Sequence, residues 1–167
     1  MLRTLRQICS VGIVTEPLAP GDESLRIREA LQAQVREVLG RALCIRHVDA
    51  GSCNGCELEI HALGNPVYNI EGAGIRFVAS PRHADLLLVT GPVSAHMETA
   101  LRRTYDAMPD PKLVVAIGDC GCSGGIFSEG YASRGRVSNV LPVDVAVAGC
   151  PPNPTRILQG ILSAVGR

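Results

Sequence analysis

Residues 112–125 read KLVVAIGDCGCSGG. Five apolar, mostly β-branched positions run into a glycine-rich turn that opens on a cysteine. Two other stretches repeat the plan: ALCIRHVDAGSCNGC over residues 42–56 and VDVAVAGCPP over residues 143–152. A fourth run, ADLLLVT at 84–90, is almost continuously apolar, as expected of a strand covered on both faces. Such runs bounded by glycine and proline predict buried strands rather than helices.

Between the strands lie amphipathic stretches. Residues 22–40 predict a helix capped by Asp22 or Ser24, with Leu25, Leu31, Val35, Val38 and Leu39 on one face and Gly40 as its stop. Short helical segments follow at about 57–63 and at 94–108, the latter with Ser94 as N-cap. IRFVAS at 75–80 predicts a further strand, and a long glycine-rich loop is expected up to about Val140. The last helix runs from Pro154 to about Val165, where proline suits the first turn. Alternation of strand and helix implies an α/β fold with a mostly parallel, flavodoxin-like doubly wound sheet and helices on both faces. The chain divides into an N-terminal arm, 1–21, broken by TEPLAPG, and a single α/β domain, 22–167.

In such sheets ligands sit beyond the carboxyl ends of the strands. Cys53, Cys56, Cys120 and Cys150 all fall at those ends. Seven cysteines are an odd number for a disulfide framework, and clustered thiols in a reducing compartment are more often metal or redox ligands. A structural zinc site usually shows two CxxC-like pairs, whereas here the second two sulfurs are single and far apart. A redox pair at Cys53 and Cys56 leaves Cys120 and Cys150 unexplained. One thiolate per iron completes a cube, so the four predict one [4Fe–4S] cluster, with Cys53, Cys56, Cys120 and Cys150 as metal ligands. Cys122 rivals Cys120; Cys120 is preferred because it lies nearer the strand end. Cys44 falls within a strand and reads as a core thiol.

The remaining composition narrows the classes. Sixteen basic and sixteen acidic residues balance, so no overall field favours nucleic acid. Aromatic residues make up 3%, so the core is aliphatic. A mean hydropathy of +0.19 hints at apolar surface meant for partner subunits. No run reaches the length of a spanning helix, no export signal is visible, and the expectation is a cytoplasmic protein. Neither GxGxxG after a first strand nor GxxxxGK[ST] occurs, so a nucleotide-binding reading lacks its phosphate cradle.

The motifs CNGCE (53–57), GDCGCSGGIF (118–127) and AGCPPNP (148–154) together resemble the small, cluster-carrying subunit of [NiFe] hydrogenases. They are also similar to its homologue, the 20 kDa-type subunit of respiratory NADH:quinone oxidoreductase, complex I. HVDAGSCNGCELEI and SPRHADLLLVTGPV look most like the formate hydrogenlyase-type, membrane-associated class. Complex I subunits usually carry adjacent cysteines where this chain has Cys53 and Asn54. The resemblance implies a redox subunit, inactive alone, with one proximal [4Fe–4S] cluster. It implies three partners: a NiFe-type large subunit, a ferredoxin-like iron–sulfur subunit and a membrane-embedded subcomplex. Placement on the cytoplasmic face of the inner membrane follows from those partners. It also implies that Glu57 or Glu59 relays protons near the large-subunit interface; a plain helix-terminal charge is the alternative for each. The second branch, passing electrons to quinone, stays open at this point.

Overall fold

The computed structural model describes residues 6, 9, 10 and 23–166. Apart from those first three positions, the expected arm over 1–21 lies outside the described residues, as does the cap expected of Asp22. Helix α1 spans Glu23–Leu39 and leads into β1, Leu43–Asp49. Helix α2, Gly55–Ala62, follows the first cysteine loop. Strands β2, Ile75–Phe77, and β3, Leu86–Thr90, precede helix α3, Met97–Asp106. Strand β4, Leu113–Ile117, runs into a short helix α4, Gly118–Ser123. Strand β5, Val145–Val147, and helix α5, Pro154–Val165, close the chain.

The five strands form one sheet in the order β2-β1-β3-β4-β5, and every pairing is parallel. That order, with its reversal between β1 and β3, is the flavodoxin-like doubly wound arrangement expected from the alternating pattern. Alternate strand residues feed two cores. Leu43, Ile45, Leu86, Leu88, Val115 and Ile117 point to the side covered by α1, α2 and α5, where Leu31, Ile60 and Ile157 meet them. Leu87, Val89, Val114 and Ala116 point to the other side, against Leu101 of α3 and the segment around Val137–Leu141. The central strands β3 and β4 are thus buried on both faces, which is why their sequences do not alternate.

Several boundaries differ from expectation. Val38 is 58% exposed, because the buried stripe of α1 runs through Ile27, Leu31, Val35 and Leu39 at intervals of four and leaves Val38 at its margin. Strand β2 pairs only to Phe77; Val78 donates its N–H to Ile45, and Ser80–Pro81 then turns the chain. Helix α3 starts at Met97, three residues after Ser94, although the Ser94 hydroxyl does accept the Met97 N–H at 3.3 Å. The stretch expected to be a glycine-rich loop opens with α4, despite the low helix propensity of its glycines. Helix α5 has the bounds expected, and Asn153 caps it by accepting the Arg156 N–H at 2.9 Å.

Candidate functional site

Parallel pairing puts the carboxyl ends of β1, β4 and β5 on one edge of the sheet. Cys53 follows β1 by a short loop and Cys56 lies in the first turn of α2. Cys120 lies in α4 directly after β4, and Cys150 stands three residues beyond β5. The first loop is held by Asp49, whose Oδ1 accepts the N–H groups of Gly51 and Ser52 at 2.8 and 2.7 Å. Asn54 then takes a left-handed conformation, φ 72°, and starts α2.

The sulfurs press on glycine backbone. A Cβ added at Gly118 would stand 2.6 Å from the Cys56 sulfur, and φ there is +83°. A Cβ at Gly125 would stand 3.0 Å from the Cys120 sulfur, with φ +53°. Both positions therefore need a residue without a side chain, for space and for backbone conformation. The loops bearing Cys120 and Cys150 are tied directly. Gly149 donates its N–H to Asp119 Oδ1 at 2.8 Å, and Asp119 donates its own N–H to the Gly149 carbonyl at 2.9 Å.

Electrostatics separates the cysteines into groups. The Cys56 thiol is pushed up to about 12, first by burial, then by Glu57 and by the neighbouring Cys53, Cys120 and Cys150. The Cys120 thiol is raised by burial and then by Cys150 and Cys53. Cys53, Cys120 and Cys150 thus act on Cys56, and Cys53 and Cys150 act on Cys120. Cys122 does not join them. It is pushed up to about 11 by burial and Asp119, and its sulfur faces the Ala116 carbonyl at 3.7 Å, back along β4. Cys44 is buried in β1 and Cys9 is exposed.

Among the described residues no three His, Cys, Asp or Glu side chains are gathered to hold a single metal ion. Tetrahedral zinc needs its ligands drawn to one point. A four-iron cube gives each thiolate its own iron, so its ligands stand further apart. An all-thiol donor set, the influence of Cys53 and Cys150 on both Cys56 and Cys120, and glycine backbone around two of the sulfurs fit the larger group. Burial and crowding that keep free thiols protonated are conditions that bound metal reverses, since a coordinating thiol is deprotonated outright.

Glu57 is turned inward at 7% exposure and Glu59 is half-buried. Glu57 accepts a 2.6 Å hydrogen bond from the Ser52 hydroxyl, while its Oε1 has no hydrogen-bond partner among the described residues and lies 3.9 Å from His47 Nε2. His47 also meets the Thr90 hydroxyl at 3.0 Å, and burial pushes its pKa down against the opposing pull of Glu57 and Asp49. The sequence alone assigned no role to Asp119 or His47. The one available signal for Asp119 was a carboxylate inside a glycine-rich cysteine turn.

Residues 53–164 match the family model described as NADH ubiquinone oxidoreductase, 20 Kd subunit. The chain belongs to this family. A probable membrane-bound hydrogenase subunit of Pyrococcus furiosus is 45% identical over 133 residues, 80% of each chain. Formate hydrogenlyase subunit 7 of Escherichia coli is 42% identical over 87% of this chain and 56% of its own length. An NADH-quinone oxidoreductase subunit of Desulfovibrio desulfuricans is 45% identical over 74% of this chain and 66% of its own. Among solved structures, a chain of the membrane-bound sulfane sulfur reductase, an archaeal respiratory membrane complex, aligns with a TM-score of 0.66 at 34% identity. That alignment covers 83% of this chain and 75% of the other. Members of the 20 Kd subunit family with these names are subunits of hydrogenases and complex I-type oxidoreductases, and this chain is a redox subunit of that kind. No helix among the described residues is long and apolar enough to cross a membrane.

Proposed function

We propose that this family member is the electron-transfer subunit of a multisubunit, membrane-associated hydrogenase. In this reading Cys53, Cys56, Cys120 and Cys150 hold one [4Fe–4S] cluster beside the nickel–iron site of a large subunit, and a ferredoxin-like subunit exchanges electrons with it. When bound, such a cluster carries one electron at a time at a potential set by its surroundings. The observation that supports the reading is that four cysteines follow three strands at the carboxyl edge of one parallel sheet, with Cys53 and Cys150 close enough to raise the thiols of both Cys56 and Cys120.

The chain's own residues would fix and shield that group. Asp119 ties the Cys120 loop to the Cys150 loop. Asp49 holds the Cys53 turn. Cys53 and Cys150 are exposed, and so are the apolar side chains of Leu58, Ile126 and Phe127 in the adjoining segments. A covering subunit on this edge would exclude water from them. Attachment to the cytoplasmic face of the membrane would then be through partners.

The quinone-reducing branch is the second reading, favoured by the family description and by the Desulfovibrio relative. Asn54, where that branch usually has a cysteine, favours the hydrogenase branch. The test is anaerobic reduction of the purified native complex. Bleaching of its visible chromophore by hydrogen supports the first reading. Bleaching by NADH or a quinol but not by hydrogen supports the second. A complex with no iron–sulfur chromophore overturns both.

A further inference from the structure

The two faces of the sheet are not equally covered. Helices α1, α2 and α5 cover one, whereas on the other α3 lies over the half formed by β3 and β4. Beside the uncovered part, toward the amino ends of β1 and β3, a cavity of about 510 Å³ opens to solvent. Cys44 and Val78 contribute its apolar lining; Arg41, Arg76, Arg82 and His83 contribute basic groups. Cys44 and the end of β1 are five residues apart, so the cavity lies about 17 Å or more along the strand from the cysteine edge.

Its charges are arranged rather than scattered. Asp85, 8% exposed, accepts from Arg41 Nη2 at 2.5 Å, from Arg41 Nη1 at 3.0 Å and from the Cys44 N–H at 3.0 Å. That bidentate pair fixes the Arg41 guanidinium in the cavity wall, and it cancels the charge of Arg41 against that of Asp85. Arg76 and Arg82 have no hydrogen bond or ion pair among the described residues. Three other cations are paired: Arg102 and Arg134 share Glu98, and Lys112 faces Asp110. The cavity therefore keeps two uncompensated positive charges on planar forks, beside a third fork already oriented.

We propose that this cavity binds a phosphate-class oxyanion through Arg41, Arg76 and Arg82. A phosphate monoester carries close to two negative charges and three strong acceptor oxygens. The two unpaired guanidiniums match its charge, and their fork geometry matches its oxygens. His83 stands at the same cavity and adds a donor. A carboxylate offers one charge and two oxygens and fits less well. Free phosphate and the headgroup of an anionic lipid present the same chemistry, so the ligand's source is a matter for the experiment.

The full-length chain is titrated with inorganic phosphate and with acetate. In parallel it is sedimented with phosphatidylcholine vesicles, with and without phosphatidic acid. The expected result is salt-sensitive binding of a phosphate probe that exceeds binding of acetate. It should weaken about tenfold in the double variant Arg76→Gln/Arg82→Gln and stay unchanged in Arg103→Gln, an exposed cation on α3. Arg76 and Arg82 are exposed, and circular dichroism verifies that the double variant is folded. Should it not fold, Arg76→Lys/Arg82→Lys keeps the charge, loses the forks and is expected to bind more weakly than wild type. Binding of free phosphate supports a soluble ligand, and binding confined to phosphatidic acid vesicles supports a lipid headgroup. The proposal is overturned if neither probe binds, if acetate binds as well as phosphate, or if binding survives loss of both arginines. No redox step enters these readouts, so their failure leaves the electron-transfer reading untouched.

Discussion

Replacing Asp119 by alanine removes the side chain that ties the Cys120 loop to the Cys150 loop. The Gly149 N–H then loses its carboxylate acceptor at 2.8 Å, while the reciprocal bond from the Asp119 N–H to the Gly149 carbonyl survives. A hydrogen bond to a charged acceptor is worth roughly 1.5–3 kcal/mol. Both residues are half-buried, so water partly replaces the lost partner and the low end applies, about 1.5 kcal/mol. With a urea slope of about 2 kcal/mol/M for a chain of this size, the midpoint should fall by about 0.7 M. The melting temperature should fall by about 3–6 °C. Asp119→Asn keeps an acceptor oxygen and loses its charge, so its effect should be less than half as large. The assay is paired urea and thermal unfolding of wild type and both variants, prepared identically. Wild-type stability in Asp119→Ala, or equal damage from asparagine and alanine, would refute the role assigned to the carboxylate.

Other substitutions probe other parts of the fold. Gly118→Ala forces a side chain into a left-handed backbone beside the Cys56 sulfur. It should cost about 1–2 kcal/mol for the backbone and about 1–3 more for the overlap, read as a fall in melting temperature. Gly160→Ala drives a methyl group into Val147 where α5 crosses β5, and should destabilise the chain by about 1–3 kcal/mol in urea unfolding. His47 gives a pH dependence. Burial lowers its folded-state pKa below the ordinary value of 6.5, against Glu57 and Asp49, which raise it, and with Arg46 and His61, which lower it. The unfolded chain therefore binds the extra proton first. Its contribution to stability is complete above that ordinary value and is lost as pH falls below it, with a slope of at most about 1.4 kcal/mol per pH unit. Urea midpoints measured between neutral and mildly acid pH should fall more steeply in wild type than in His47→Gln; parallel curves would contradict the assignment.

Strands β3 and β4 were legible because burial on both faces leaves continuous apolar runs, as in Leu86–Thr90. Helix α5 was legible at both ends because Asn153 and Pro154 act locally, through a cap and a fixed backbone angle. Val38 was misplaced because spacing alone does not reveal where the centre of a buried stripe lies. Helix α4 was missed because its glycines read locally as loop, whereas the helix is held by neighbours distant in sequence. Candidate ligands could be named from their place after each strand. The choice between Cys120 and Cys122 depends on which side of a two-residue spacing faces the other sulfurs, and that follows from helical geometry in α4. Asp119 depends on a partner thirty positions away, and no local pattern announces it.

The central claim is that four thiols from three strand ends share one iron–sulfur cube. Its most direct test is iron and sulfide content of the anaerobically reconstituted chain, compared among single serine variants. The account predicts about four irons and four sulfides per wild-type chain. It predicts loss of that stoichiometry in Cys53→Ser, Cys56→Ser, Cys120→Ser and Cys150→Ser, and its retention in Cys122→Ser and Cys44→Ser. A full complement of iron in Cys120→Ser together with its loss in Cys122→Ser, or zinc in place of iron in the wild type, would contradict it.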